Sequence, residues 1–257
     1  MASLQGRDGC LASPFARVAF GIGALGVLLV LILVFAGDDD GDSNDGAPEE
    51  RDSVGEGTAG PRAASGVQSI DLGDGQRLSI ELFVAPTAET TILAAPSRNA
   101  DLTSIVPVGA SLVSGDCANV IAFDAQSVDA SPVTLYQAVL ELLLAGEYGP
   151  IFADGFGTLG ASFTSLPSWE AARDNGADYN FVFAPSDFFP EGASPDAVPM
   201  TFLFVGEDDT GFLPQFEQWR EAGVNGATLP GAEHGSALFT GANDDVVLSR
   251  LERALCF

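Results

Sequence analysis

The most constraining feature is a series of short apolar runs that do not alternate with polar residues. They are Thr91-Ile92-Leu93-Ala94, Val120-Ile121-Ala122-Phe123, Pro150-Ile151-Phe152-Ala153, Phe181-Val182-Phe183, Met200 to Val205 and a weaker Ala227-Thr228-Leu229. A strand with one wet face alternates; a run without alternation is covered on both faces, the pattern of a parallel sheet between layers of helix. Helical spacing appears between the runs. Val133 to Ala145 puts Leu135, Val139, Leu142 and Leu143 on one face, Pro214 to Ala222 reads as a second helix, and Asp244 to Leu255 places Val246, Val247, Leu251 and Leu255 at helical intervals. Ahead of the runs, Val67 to Leu72 and Arg77 to Phe83 do alternate, around a turn containing Asp74-Gly75, and read as an opening hairpin. The expected fold of residues 67–257 is therefore α/β, a mostly parallel sheet with helices on both faces.

Residues 1–66 differ in kind. No charge occurs between Arg17 and Asp38, and residues 18–37 are long and apolar enough to span a bilayer as one helix. Arg7 and Arg17 precede that stretch and Asp38, Asp39 and Asp40 follow it, so residues 1–17 are expected in the cytoplasm and the rest of the chain outside. The competing reading is a signal peptide cleaved near Ala36. Residues 38–66 have almost nothing to bury and carry nine acidic residues against Arg51 and Arg62, so an acidic, disordered linker is expected. Over the whole chain 36 acidic residues face ten arginines and no lysine, a net charge of −26. That excess excludes nucleic acid as a partner, since phosphate binding needs clustered cations, and leaves a small molecule or a protein, with the membrane reached only through residues 18–37. One histidine and no paired-cysteine spacing argue against a metal site, and no cofactor motif is present. Cys117 and Cys256 both fall on the outer side, where they can form a disulfide or remain two buried thiols.

In a parallel α/β sheet the ligand crevice lies at the carboxyl ends of the strands. The loop after Met200 to Val205 reads Gly206-Glu207-Asp208-Asp209, and the loop after the last run reads Pro230-Gly231-Ala232-Glu233-His234-Gly235, with the single histidine of the chain. A carboxylate after one strand and an imidazole after the next is the arrangement in which an acid fixes the tautomer of a general base. In these loops and in element order the sequence resembles the α/β-hydrolase superfamily, in particular its dienelactone-hydrolase-like and small esterase members. The resemblance implies Asp209, in preference to Asp208, as the acid and His234 as the base of a carboxylic-ester hydrolase.

The resemblance also implies a nucleophile elbow, Gly-x-Ser-x-Gly, between a strand and a helix. With the strand at Ile151 to Asp154, Gly157 falls where the serine is required, and glycine has no nucleophilic atom. Thr158 is the substitute in a one-residue slip, while Ser162 falls one turn into the helix and points elsewhere. Pro96, after the run ending in Ala94-Ala95, cannot donate an N–H to an oxyanion. Ala95, Phe156 and Phe212 are the candidate ligand-lining residues, and Phe188-Phe189-Pro190 falls in a neighbouring loop. The expectation is thus a membrane-anchored, extracytoplasmic hydrolase-fold protein impaired in catalysis, binding a small apolar or ester-like ligand or a protein. The alternative is an active esterase using Thr158 or a water activated by His234.

Overall fold

The computed structural model describes residues 65–73, 75–146 and 155–256. The expected cytoplasmic segment, membrane span and linker through residue 64, and the run Pro150 to Ala153, lie outside the described residues. No helix among the described residues is long and apolar enough to cross a membrane.

Among the described residues eight strands form one sheet: β1 (Gly66–Gly73), β2 (Gln76–Phe83), β3 (Thr90–Ala95), β4 (Asn119–Phe123), β5 (Gly155–Ala161), β6 (Tyr179–Phe183), β7 (Met200–Gly206) and β8 (Asn225–Leu229). Their order is β1-β2-β4-β3-β5-β6-β7-β8. The β1/β2 and β2/β4 pairs are antiparallel and every other pair is parallel. The sequence pattern follows from this arrangement. In β2 the alternating Leu78, Ile80 and Leu82 are buried, whereas all five residues of β4, between two neighbours and two helix layers, are buried.

Among the described residues five α-helices cover the sheet: α1 (Val106–Ser114), α2 (Pro132–Leu144), α3 (Ser165–Asn175), α4 (Leu213–Glu221) and α5 (Asp244–Leu255). Helices α2 and α3 pack together, and α3 joins α4 through Trp169, Trp219 and Phe189, whose rings meet edge to face at 4.8 to 6.2 Å between centroids. Helices α1 and α5 pack together. Their ends are joined by a Cys117–Cys256 disulfide that closes a sequence separation of 139 residues. Cross-linking over so long a loop stabilises a domain by roughly 2–5 kcal/mol, largely by restricting the unfolded chain.

Two helices, α1 and α3, are absent from the apolar pattern of the sequence. In α3 the buried face carries Ser165 and Ser168 beside Trp169 and Ala172, so small polar side chains hide the stripe. The larger correction concerns the third parallel strand. The strand that the structure describes, β5, spans Gly155–Ala161, so the glycines read as a turn are part of the strand itself. Gly157 is flat against its neighbours: a Cβ there would meet Ile92 Cδ1 at 2.8 Å and Tyr179 Cβ at 2.9 Å.

This topology fixes where a site can form. The chain leaves β3 for β4 on one side and later returns to β5 on the other side of β3, so the crossovers diverge beyond the carboxyl ends of β3 and β5.

Candidate active site

Strand β5 ends at Ala161, and one residue later the backbone turns into helix. Ser162 makes that turn with φ at +56°, a left-handed conformation that costs a side-chain-bearing residue about 1–3 kcal/mol and persists where the surroundings enforce it. The surroundings are specific. A Cβ on Gly160 would lie 2.3 Å from the Thr164 carbonyl and 2.5 Å from Ser168 Oγ, so only glycine lets the strand and the following helix approach. The Ala161 N–H donates to Thr164 Oγ1 at 2.8 Å, and that hydroxyl has the Ala95, Pro96 and Ala161 carbonyls within 3.0 to 3.3 Å as acceptors. Tyr136, fully buried, donates its phenol to the Leu159 carbonyl at 2.5 Å, and burial pushes its pKa far above the ordinary value, so it remains a donor. The turn therefore reads Gly160-Ala161-Ser162-Phe163-Thr164, a sharp strand-to-helix turn with a threonine two residues after the serine.

The acid and the imidazole come from the next loops along the sheet. After β7 the Asp209 N–H donates to the Gly206 carbonyl, while the Glu207 and Asp208 N–H groups donate to the Leu229 and Gly231 carbonyls, tying this loop to the one after β8. Gly206 permits the contact, since a Cβ there would meet the Gly231 and Glu233 carbonyls at 2.7 Å. Glu233 braces the second loop through Ala242 N–H and Asn243 Nδ2. The outcome is a continuous chain of polar groups: His234 Nδ1 lies 2.7 Å from Asp209 Oδ2, and His234 Nε2 lies 2.8 Å from Ser162 Oγ. An ionised Asp209 can only accept, so it takes Nδ1–H; Nε2 is then the acceptor of the Ser162 O–H. The histidine side chain is 31 % exposed and that of Asp209 only 10 %, which leaves the imidazole open to a ligand while its orienting carboxylate is sheltered. The Phe212 ring lies over the imidazole at 3.9 Å between centroids. Gly235 keeps the space beside the serine clear, as a Cβ there would meet Ser97 Cβ at 2.8 Å and Ser162 Cβ at 3.4 Å.

Sequence reading singled out Asp209, His234 and Phe212, which the structure brings together; the hydroxyl that meets His234 is that of Ser162, which the sequence reading set aside, and not that of Thr158. Gly157 is five residues upstream of the turn, in mid-strand. Thr158 is fully buried, donates to the Ser168 carbonyl at 3.0 Å and accepts from Asn180 Nδ2 at 2.8 Å, so its hydroxyl is occupied inside the sheet–helix interface. Phe156, six residues before Ser162, belongs to the other end of the strand, roughly 20 Å away at strand rise. Ala95 is completely buried and supports the elbow through its carbonyl instead of lining a crevice. Phe189 is core, whereas Phe188 is exposed. The signal that points to Ser162 is Gly160-Ala161-Ser162 directly after Thr158-Leu159, followed by a helical segment.

The Phe163 N–H lies in the first helical turn, where donors have no intrahelical partner, and is the backbone donor next to Ser162. The loop after β3 is committed elsewhere: Pro96 has no N–H, and the Ser97 N–H donates to Ser236 Oγ at 2.8 Å. Arg98 holds its guanidinium 5.2 Å from the centre of the Phe163 ring, a cation at the rim of the site.

The contrast between Gly157 and Ser162 yields a simple expectation. Gly157→Ser introduces a side chain where there is no room and no imidazole, so it destabilises the domain by about 1–3 kcal/mol without raising ester hydrolysis. Thermal melts together with initial rates check it, and a gain in hydrolysis by this variant would contradict the placement.

Comparison with solved structures places this geometry in a known fold. A CIB-like hydrolase from Thermoplasma acidophilum superimposes with a TM-score of 0.59 at 14 % identity, covering 74 % of this chain and 99 % of that one. Carboxyl esterase 2 of Tuber melanosporum gives 0.57 at 14 % identity over 77 % of this chain and 87 % of that one. A lid-less α/β serine hydrolase of Xanthomonas campestris gives 0.55 at 14 % identity over 76 % and 94 %. No family model and no curated protein sequence matches the chain. The chain has the α/β-hydrolase fold.

Proposed function

We propose that the domain is a carboxylic-ester hydrolase with Ser162 as nucleophile, His234 as general base and acid, and Asp209 as the group that orients the imidazole. The observation that carries this reading is the unbroken Ser162–His234–Asp209 chain, with both contacts under 3 Å, built on the carboxyl ends of β5, β7 and β8. The expectation of catalytic impairment rested on Gly157 occupying the nucleophile position, and with Gly157 in mid-strand that premise falls away.

In the proposed reaction, Ser162 Oγ attacks the ester carbonyl carbon as its proton passes to His234 Nε2. Asp209 stabilises the imidazolium that results, without taking the proton itself. The negative charge that develops on the carbonyl oxygen is met by the Phe163 N–H. His234 returns the proton to the departing alkoxide, leaving an acyl-Ser162. Water then attacks the acyl carbon, giving its proton to His234, and the acid is released as Ser162 recovers its own. With the Ser97 N–H held by Ser236 Oγ, the oxyanion has one assured backbone donor. A missing donor is worth about 10²–10³ in turnover, so a slow hydrolase is expected unless substrate displaces Ser236 Oγ.

The test is hydrolysis of a short-chain 4-nitrophenyl ester by the full-length protein. Saturable hydrolysis above buffer is the expected result, and a rate equal to buffer would refute the reading. For location we propose that residues 18–37 hold the domain at the outer face of a membrane, a reading supported by their length and by the flanking charges. Retention of the full chain in the membrane pellet after alkaline extraction is expected; release of a shortened chain would indicate cleavage near Ala36 instead.

A further inference from the structure

A second concave site lies away from the serine. Between α5 and strands β7 and β8 there is a trough of about 500 Å³, in the range of small-molecule sites. Its floor is aromatic: Phe202 and Phe204, two residues apart on β7 and so on the same face, stack on Phe181 and Phe183 of β6 at 5.5 and 5.0 Å between centroids. One reason the floor is open lies in β8, the edge strand. A Cβ on Gly226 would point at Phe216, on the opposite face of the sheet, so the neighbour that faces the trough is Ala227, which leaves the Phe202 ring partly exposed while Phe204 is buried beneath.

The wall is cationic. Arg250 and Arg253 stand one turn apart on α5 and both line the trough, with the Arg250 guanidinium 5.7 Å from the centre of the Phe204 ring and Arg253 Nε donating to the Ser249 carbonyl at 3.1 Å. Among the described residues neither guanidinium forms an ion pair. In a chain with 36 acidic residues and ten arginines, two guanidinia beside an apolar floor and without an ion-pair partner among the described residues are a specific arrangement.

We propose that this trough binds an amphipathic carboxylate, a medium-chain fatty acid anion whose apolar body lies over Phe202 and Ala227 and whose head group takes hydrogen bonds from Arg250 and Arg253. Each half of the site supplies what the other lacks. The phenyl floor offers apolar area with no polar partner, and the guanidinia offer the planar fork that matches a carboxylate. Anions elsewhere meet a strongly acidic chain, so the pair of arginines also sets the sign of the ligand. The site stands independently of the hydrolase reading, since none of its residues belongs to the Ser162 chain.

The experiment is calorimetric titration of the full-length protein with decanoate and, separately, with decanol, repeated on Arg250→Gln/Arg253→Gln and on Ala227→Leu. Decanoate is expected to bind the parent protein more tightly than decanol. The double arginine variant should weaken decanoate about tenfold, in line with loss of charge-assisted hydrogen bonds, and bring its affinity to that of decanol. Ala227→Leu, which fills the trough and keeps both charges, should weaken both ligands. Thermal melts establish that each variant is folded. Absence of decanoate binding, equal affinity for decanol in the parent, or decanoate binding unchanged in both variants, as binding at the serine site would give, overturns the proposal.

Discussion

Replacing Ser162 by alanine is expected to lower ester hydrolysis by about a millionfold, roughly 8 kcal/mol of transition-state stabilisation. The size follows from what the hydroxyl does in the proposed reaction: it supplies the bond through which an acyl-enzyme forms, and among the described residues His234 has no other nucleophile within hydrogen-bond reach. The fold should tolerate the change, since alanine keeps the Cβ that already occupies the left-handed position and the hydroxyl removed bonds to His234. Steady-state rates with a 4-nitrophenyl ester, read beside a thermal melt, check both halves. A variant that keeps more than a few per cent of parent activity would show that the chemistry passes through another group, with Thr158 or a His234-activated water as the contenders.

The second large effect is expected at Asp209. Asp209→Asn keeps the shape of the side chain but can present an amide N–H to His234 Nδ1. The imidazole would then carry its proton on Nε2, facing Ser162 with a donor where an acceptor is needed. A loss of about 10⁴ in turnover, near 5 kcal/mol, is the expected magnitude for a wrong tautomer. The carboxylate is buried and sits 2.7 Å from the ring nitrogen, so its influence is not diluted by solvent. Asp208→Asn makes the control: that side chain is exposed, and its backbone N–H, which holds the Gly231 carbonyl, is untouched by the substitution. Comparable losses in both variants would argue against the assignment of roles to the two neighbours.

Much of this architecture is written in the sequence, for reasons visible in single elements. Runs such as Val120 to Phe123 and Phe202 to Val205 stay apolar on both faces because helices cover both sides, so their strands can be read without the structure. Asp209 and His234 can be read for a related reason: each follows such a run within a few residues, in a loop whose glycine, Gly206 or Gly231, marks a sharp departure from the strand.

Strand β5 resists reading. Three of its seven residues are glycine, selected by close packing against Ile92, Tyr179, Thr164 and Ser168 and not by turn formation, so the strand has the composition of a loop. Once β5 is taken for a loop, the elbow moves upstream and Ser162 disappears into the following helix. Thr164 adds to the disguise. The position two residues after the serine carries a hydroxyl that holds Ala161 N–H, a hydrogen-bonded replacement for the glycine that a motif search requires. Helix α3 hides in the same way, because its buried face includes serines whose hydroxyls are satisfied locally, Ser168 on the Ser165 carbonyl and Ser165 within reach of the Gly160 and Phe183 carbonyls.

The central claim is that Ser162, activated by His234, is the nucleophile. The most direct measurement is reaction of the full-length protein with a serine-directed fluorophosphonate, followed by identification of the modified residue by peptide mass spectrometry. The account predicts one phosphonyl group per chain, on Ser162, and none in His234→Ala. Failure of the folded parent to label, or a label on Thr158 or any residue other than Ser162, would contradict it.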